Sequence, residues 1–337
     1  MPDPRPVRSP AASFWHRFRR RQDPDASACM ADVLACYRLL LGRQPDPEGL
    51  AHYTERLQSA VPIEQLVDEF LSSMEFDRLH PGFRRPERAA PSVVTTTFGF
   101  RIQVDPTDYA VGHTIARTGT YEPEVSAVVS QILEPGDTFV DIGANIGWFS
   151  LLAATQVGPS GRVLAIEPNP GNIALLQSSI AENELDNTEV MAVALSDHTG
   201  AVALETDGSN GRVIFLDDPP VAALPVSYVV ACHPLDALLA SCRIDRVDVV
   251  KMDVEGAEPL VVQGGAETFE KYRPVLVSEF FPRALDNSPG GAAAYLAALR
   301  DLGYTLSVIG NRSGDLPDRE IMALARGGQV NLLARPT

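Results

Sequence analysis

Apolar and polar positions change rhythm along the 337-residue chain. Over residues 27–80 the period is helical. Val33, Leu34, Tyr37, Leu40 and Leu41 share one helix face, and Gly42 is a natural stop. Asp46-Pro47-Glu48 then reads as an N-cap, a proline at the first helical position and an early acid. A third helix from about Pro62 carries Ile63, Leu66, Val67, Phe70 and Leu71, so a small all-α N-terminal domain of three helices is expected over 27–80. Residues 1–26, rich in Pro, Arg, Ser and Asp, read as a disordered basic tail. Pro81, Pro86 and Pro91 mark a linker over 81–92.

From Val93 the texture becomes that of strands alternating with helices. Residues 93–98 and 100–104 flank Gly99 as a short hairpin, and a helix is expected around Glu122–Leu133. Apolar strands follow at Thr138–Asp141, Arg162–Glu167 and Thr188–Ala194, separated by helices over Ile146–Gln156 and Asn169–Glu182. A less regular insert contains β-like runs at Val213–Leu216 and Val226–Val230. Strands at Val247–Met252, Val275–Glu279, Thr305–Ile309 and Val330–Ala334, with helices at 257–272 and 291–301, complete the second domain, 93–337. Short apolar runs joined by helical crossovers predict a doubly wound, mostly parallel α/β sheet with its ligand at the carboxyl ends of the strands.

Charge and composition narrow the function. The 28 basic and 44 acidic residues give a net charge of −16, which repels phosphate backbones and argues against a nucleic-acid partner. No run of about 20 uninterrupted apolar residues offers a membrane span. The longest candidate, Val221–Cys242, is broken by Pro225, His233, Pro234 and Asp236. The basic stretch Phe14–Arg21 leaves a peripheral membrane-surface contact as the competing reading of the tail. Cys29, Cys36, Cys232 and Cys242 fit neither a zinc spacing nor a disulfide framework, and reduced thiols in a cytoplasmic protein are expected. The six histidines show no ligand spacing, and a packing role for His113 outweighs one as a base.

The chemistry concentrates in Phe139-Val140-Asp141-Ile142-Gly143-Ala144-Asn145-Ile146-Gly147. A buried strand ends in a carboxylate, turns on Gly143 and enters a helix through Gly147, whose free amides would favour a polar or anionic group. Glu167, ahead of Pro168 at the end of the second strand, is placed to take both ribose hydroxyls of a nucleoside. A dinucleotide fingerprint needs G-x-G-x-x-G, and here the middle glycine is missing. Asp141 would repel a diphosphate and attract an ammonium, an interaction of roughly 4 kcal/mol at about 4 Å and an effective dielectric of about 20. S-adenosyl-L-methionine, a nucleoside with a cationic tail, is therefore the expected cofactor.

Ala194-Leu195-Ser196-Asp197 closes the third strand in this reading, with Asp197 available to the adenine amino group. Asp253, Glu255 and Glu279 lie at neighbouring strand ends as a carboxylate cluster. Methyl transfer to an alcohol needs the acceptor oxygen held in line and its proton removed. Crowded carboxylates raise one another's pKa towards base work, or alternatively hold a hard divalent cation of the magnesium type. For Glu258, capping a helix start competes with membership of this cluster.

At these residues the chain resembles the FkbM-type S-adenosylmethionine-dependent methyltransferases. The resemblance rests on Gly119-Thr120-Tyr121-Glu122-Pro123-Glu124, on Val140 to Gly147, on Ile166-Glu167-Pro168, on Ala194 to Asp197, and on Lys251-Met252-Asp253-Val254-Glu255-Gly256-Ala257-Glu258. It covers roughly residues 95–335. It implies a class I methyltransferase (Rossmann-like) sheet of seven strands, with one antiparallel edge strand, and O-methylation of a hydroxyl on acceptors ranging from macrolides to glycans and glycolipids. Carried over residue by residue, Glu122, Asp141, Gly143, Ala144, Asn145, Gly147, Glu167, Pro168, Ser196 and Asp197 are expected at the cofactor, and Asp253, Glu255 and Glu279 on the acceptor side. Residues 31–76 resemble a small helical domain of undefined function found on bacterial glycan-modifying enzymes, which tilts the expected acceptor towards a sugar or glycan. A nicotinamide-dependent oxidoreductase and a non-catalytic binding protein of the same fold are the rival expectations.

Overall fold

The computed structural model describes residues 28–80 apart from 60, 62 and 72, and then 90–108, 111–207, 209–215, 228–286, 291–311 and 314–337. The basic tail, its membrane-contact reading and most of the linker lie outside these residues. The chain divides into two compact units, Met1–Pro86 and Glu87–Thr337. Among the described residues no helix is long and apolar enough to cross a membrane.

The first unit is helical. It contains α1 (Met30–Leu40), α2 (Pro47–Arg56), α3 (Ile63–Leu71) and a short α4 (Met74–Leu79), one helix more than the periodicity predicts. Ser73 creates the extra start, its hydroxyl accepting from the Phe76 amide at 3.1 Å, while Asp46 caps α2 by accepting from Gly49 N at 2.7 Å. Val33, Cys36, Leu66, Val67 and Phe70 form its dry interior. Arg43 lies over the Tyr37 ring at 4.9 Å and reaches Glu75 at 2.6 Å.

The second unit opens with an antiparallel hairpin, β1 (Ser92–Thr95) and β2 (Arg101–Val104), and holds a seven-stranded sheet in the order β12-β13-β11-β10-β3-β4-β5. These strands span β3 Thr138–Ile142, β4 Arg162–Ile166, β5 Thr188–Met191, β10 Val249–Met252, β11 Val275–Phe280, β12 Tyr304–Val308 and β13 Val330–Pro336. This is the expected mostly parallel sheet, with one detail of the expectation corrected. The antiparallel strand is β13, and it sits one position in from the edge, paired antiparallel to β11 on one side and to β12 on the other. The chain reaches that slot from the β12 side, so β12 becomes the edge and runs parallel to the remaining strands.

Two further expectations shift. The strand expected over Thr188–Ala194 stops at Met191. Ala194–Leu195 instead joins a second sheet of order β6-β9-β7-β8, made of β6 (Ala194–Leu195), β7 (Gly200–Asp207), β8 (Asn210–Phe215) and β9 (Tyr228–His233). The insert that reads as irregular thus helps to build a mixed sheet, with β6 parallel to β9 and β7 antiparallel to both β8 and β9, and Ser196-Asp197 follow directly after β6. The helix expected over 257–272 breaks into Glu258–Gly264 and Ala266–Tyr272 at Gly265.

The strand-end loop depends on glycine for a steric reason. Gly143 has φ +76°, and a Cβ there would lie 1.8 Å from the Asp253 carbonyl oxygen. Gly99 has φ +91° with open space around it. Gly143→Ala should therefore cost at least about 2 kcal/mol of stability, from left-handed strain plus overlap. Gly99→Ala should cost roughly 1 kcal/mol from strain alone. Thermal unfolding of the two variants checks the difference.

Candidate functional site

Carboxyl ends of β3, β4 and β10 open into a cleft with about 1070 Å³ of empty space, part of it open to solvent. Of the residues expected at the site, Glu122, Gly143, Ala144, Asn145, Glu167, Pro168, Asp253, Glu255 and Glu279 line it. Asp141, Gly147, Ser196 and Asp197 do not. Gly147 starts the helix Trp148–Val157 with φ +95°, beneath the cleft and against Leu176. Asp197 accepts from Ser196 Oγ at 3.1 Å and pairs with His198 Nδ1 at 2.7 Å, within the second sheet's loop. His113 also lies outside the lining, its ring 3.3 Å from the Pro106 carbonyl oxygen.

Glu167 is held by three donors. It is 5% exposed; Oε2 accepts from the Asn145 amide at 2.8 Å, and Oε1 accepts from Asn169 N at 2.8 Å and Asn172 Nδ2 at 3.3 Å. Burial pushes its pKa to about 7, against these hydrogen bonds, which favour the ionised form. The loop amides, in contrast, are not free as the sequence suggests. Gly143 and Ala144 both donate to the Ile166 carbonyl, Asn145 to Glu167, Ile146 to the Asn145 side chain and Gly147 to the Ala144 carbonyl. The turn is braced by its own hydrogen bonds, leaving none of these five amides for a diphosphate.

Asp141 lies below the floor. It is 1% exposed; Oδ2 accepts from Ser150 Oγ at 2.6 Å, and Oδ1 has no hydrogen-bond partner among the described residues. Its pKa is pushed up to about 6 by burial, with Lys251 opposing. Lys251 itself is the residue that the motif reading passed over. It faces Asp141 across the β10–β3 ladder, is buried, donates to Asp253 Oδ2 at 2.8 Å, and lies 5.0 Å from the Phe149 ring centre. Burial alone would lower its pKa, but Asp253, Glu122 and Asp141 around it hold the ammonium above the ordinary lysine value. A sequence signal existed: a lysine among Val249, Val250 and Met252 in a strand buried on both faces must be paired.

The remaining acids divide by contact. Glu122 adopts φ 41°, and its buried Oε2 has no partner among the described residues; burial raises its pKa while Lys251 opposes. Tyr121 beside it packs on Trp148, ring centres 6.3 Å apart, and Trp148 Nε1 donates to Ser126 Oγ at 2.8 Å. Glu279, 6% exposed, is driven well above the usual carboxylate range by burial, then by Asp253 and Glu255. Glu258 braces the turn after β10, its Oε1 accepting from Val254 N at 3.1 Å, while its buried Oε2 has no partner among the described residues. Among the described residues no three His, Cys, Asp or Glu side chains are grouped so as to hold a metal ion.

Comparison with known proteins adds names to this geometry. Residues 141–306 match the methyltransferase FkbM domain, and residues 27–80 match a domain of unknown function, DUF4214. The 2-O-methyltransferase NoeI of Sinorhizobium fredii is 26% identical over 159 residues, covering 43% of this chain and 64% of that protein. The hexuronic acid methyltransferase AglP of Haloferax volcanii is 25% identical over 158 residues, covering 46% of this chain and 61% of that protein. The chain thus spans under two thirds of the length of either relative. A crystal structure of methyltransferase FkbM from Methylobacillus flagellatus aligns over 92% of this chain and 60% of its own at 16% identity, with a TM-score of 0.40.

Lys251→Met would leave Asp141, Glu122 and Asp253 without their buried counter-ion, and should destabilise the protein by about 3–5 kcal/mol. The sign with pH follows from the raised carboxylates. Groups whose folded pKa exceeds the unfolded one stabilise at low pH and lose that contribution as pH rises. The deficit of the variant should therefore widen as pH climbs through about 6, where Asp141 ionises. Melting temperatures of both proteins between about pH 5 and 8 check this.

Proposed function

We propose that the protein, whose residues 141–306 form an FkbM-type S-adenosylmethionine-dependent methyltransferase domain, transfers a methyl group to a hydroxyl of a sugar, glycan or glycolipid intermediate. The observation that carries the reading is Glu167, a buried carboxylate in the cleft whose two oxygens are fixed by donors from the Asn145–Asn172 region. Such a carboxylate suits paired ribose hydroxyls. The residues present fit the cofactor. Glu122 offers a buried, unpartnered oxygen for its ammonium, Gly143 lets the loop pass tight against the Asp253 backbone, and Asp141 adds negative potential. Asp197, bonded to Ser196 Oγ and His198 Nδ1, braces the loop proposed to lie on the adenine side. S-adenosylmethionine, when bound, supplies an electrophilic methyl carbon.

The chain's own groups then have separable tasks. Lys251 holds Asp253 at 2.8 Å, which fixes that carboxylate at the mouth of β10. Glu279, raised by burial and by its acidic neighbours, has the basicity to take the acceptor's proton, and Glu255 lines the same side of the cleft. The sugar acceptor is supported by relatives described as a 2-O-methyltransferase and a hexuronic acid methyltransferase.

Calorimetry with S-adenosylhomocysteine tests the cofactor half. Ribose hydroxyls donate to the ionised Glu167, so affinity should rise as pH passes through about 7, and Glu167→Gln should weaken binding and remove that slope. Labelled S-adenosylmethionine incubated with a cell-envelope glycan extract, followed by mass spectrometry, tests the acceptor half. A methyl ether on a sugar is expected, and Glu279→Gln should slow its formation by about a hundred- to ten-thousand-fold. Absence of S-adenosylhomocysteine binding, or label appearing only on amines or nucleic acid, would refute the proposal.

A further inference from the structure

The inserted sheet reaches into the cofactor half of the cleft. Ser209, Asn210 and Gly211, at the turn between β7 and β8, are among its lining residues. This turn is tied down by side chains from three separate parts of the chain. Asn172 Nδ2 donates to the Ser209 carbonyl at 2.7 Å, Asn145 Nδ2 donates to the same oxygen at 3.2 Å, and the Ser209 amide donates to Asp108 Oδ1 at 3.3 Å. Two of those anchors are the residues that hold Glu167. Asn145 gives its backbone amide to Glu167 Oε2, and Asn172 shares its side-chain amide between Glu167 Oε1 and the Ser209 carbonyl. The hairpin tip and the carboxylate are therefore positioned by the same two asparagines.

One group in this latch has no hydrogen-bond partner among the described residues. Ser209 is 6% exposed, yet its hydroxyl makes no hydrogen bond among the described residues, although its own backbone is bonded at both ends. A buried hydroxyl without a partner costs free energy that a bound ligand would recover. Its place in the lining, next to the residues that frame Glu167, decides which part of a ligand it meets.

We propose that Ser209 is a cofactor-binding residue. Its Oγ hydrogen-bonds a ribose hydroxyl of the nucleoside whose ribose Glu167 accepts, and Ser209, Asn210 and Gly211 form the wall of the cofactor site beside that carboxylate. The proposal rests on the reading of Glu167 given above. Asn172 is the positioning residue, coupling the insert to Glu167 so that both ribose contacts are set together. On this view the insert completes the cofactor crevice rather than decorating it.

The test is Ser209→Ala with two probes, S-adenosylhomocysteine and its analogue lacking both ribose hydroxyls, measured by calorimetry or by displacement. S-adenosylhomocysteine should bind the variant roughly 2- to 12-fold more weakly, the range for one neutral hydrogen bond. The dideoxy analogue should bind both proteins alike. Because the hydroxyl bonds nothing among the described residues, the unliganded variant should melt no lower than the parent. Equal affinity for S-adenosylhomocysteine, or the same loss with both probes, overturns the assignment. If the unaltered protein does not bind S-adenosylhomocysteine, or Glu167→Gln binds it as tightly, the ribose reading of the crevice falls first and Ser209 with it. A Glu167 effect without a Ser209 effect overturns only the latter.

Discussion

A single buried ammonium organises the mouth of the sheet. Lys251 projects from a strand with apolar neighbours on both sides, directly across the ladder from Asp141. An ammonium taken out of water carries a penalty of several kcal/mol even after the protein relaxes, so it persists only with close opposite charge. Asp253 supplies that at 2.8 Å, and the Phe149 ring at 5.0 Å adds the negative face of its π-system. The dependence runs both ways. Without the lysine, Asp141 and Glu122 would be buried acids with no cation near them.

The loop above this pair follows a different logic from a diphosphate cradle. In the latter, glycines free backbone amides to point at an anion. Here the glycines let the chain pass close to the β10 terminus, with the position of a Gly143 Cβ taken by the Asp253 carbonyl, and the amides turn inward to bind Ile166 and Glu167. The hydrogen-bonding capacity of the loop is spent on holding a carboxylate. What faces the cleft is then negative and acceptor-rich, suited to hydroxyls and to a positively charged group.

Much of this was readable locally. Asp141, Gly143 and Glu167 stand at strand ends defined by short apolar runs, and the crossover helices between them dictate a parallel sheet and a crevice. Contacts between distant segments were not. The role of Lys251 requires that β10 lie beside β3, an adjacency separated by 110 residues along the chain in the Thr138–Asp248 hydrogen bond that starts it. Ser209 and Asn172 meet across 37 residues, through a hairpin whose weak alternation looked irregular. The end of β5 was misjudged because apolar residues continue through Val193–Leu195, while the backbone leaves one sheet for another. Hydrophobicity records burial without saying which sheet is doing the burying.

The same long-range arrangement separates acids that look equivalent in sequence. Asp253, Glu258 and Glu279 all sit at or just beyond strand ends, yet one is bound to Lys251, one to the Val254 amide, and one faces the cleft among negative neighbours. Burial among other acids favours the protonated form of a carboxylate and makes the ionised one a stronger base. The proposed reaction accordingly assigns proton uptake to Glu279, which lines the cleft, with Asp253 held beside it by Lys251. That division is imposed by where one lysine emerges from the sheet, which is why a substitution of Lys251 would alter the character of Asp253 as well as the stability of the fold.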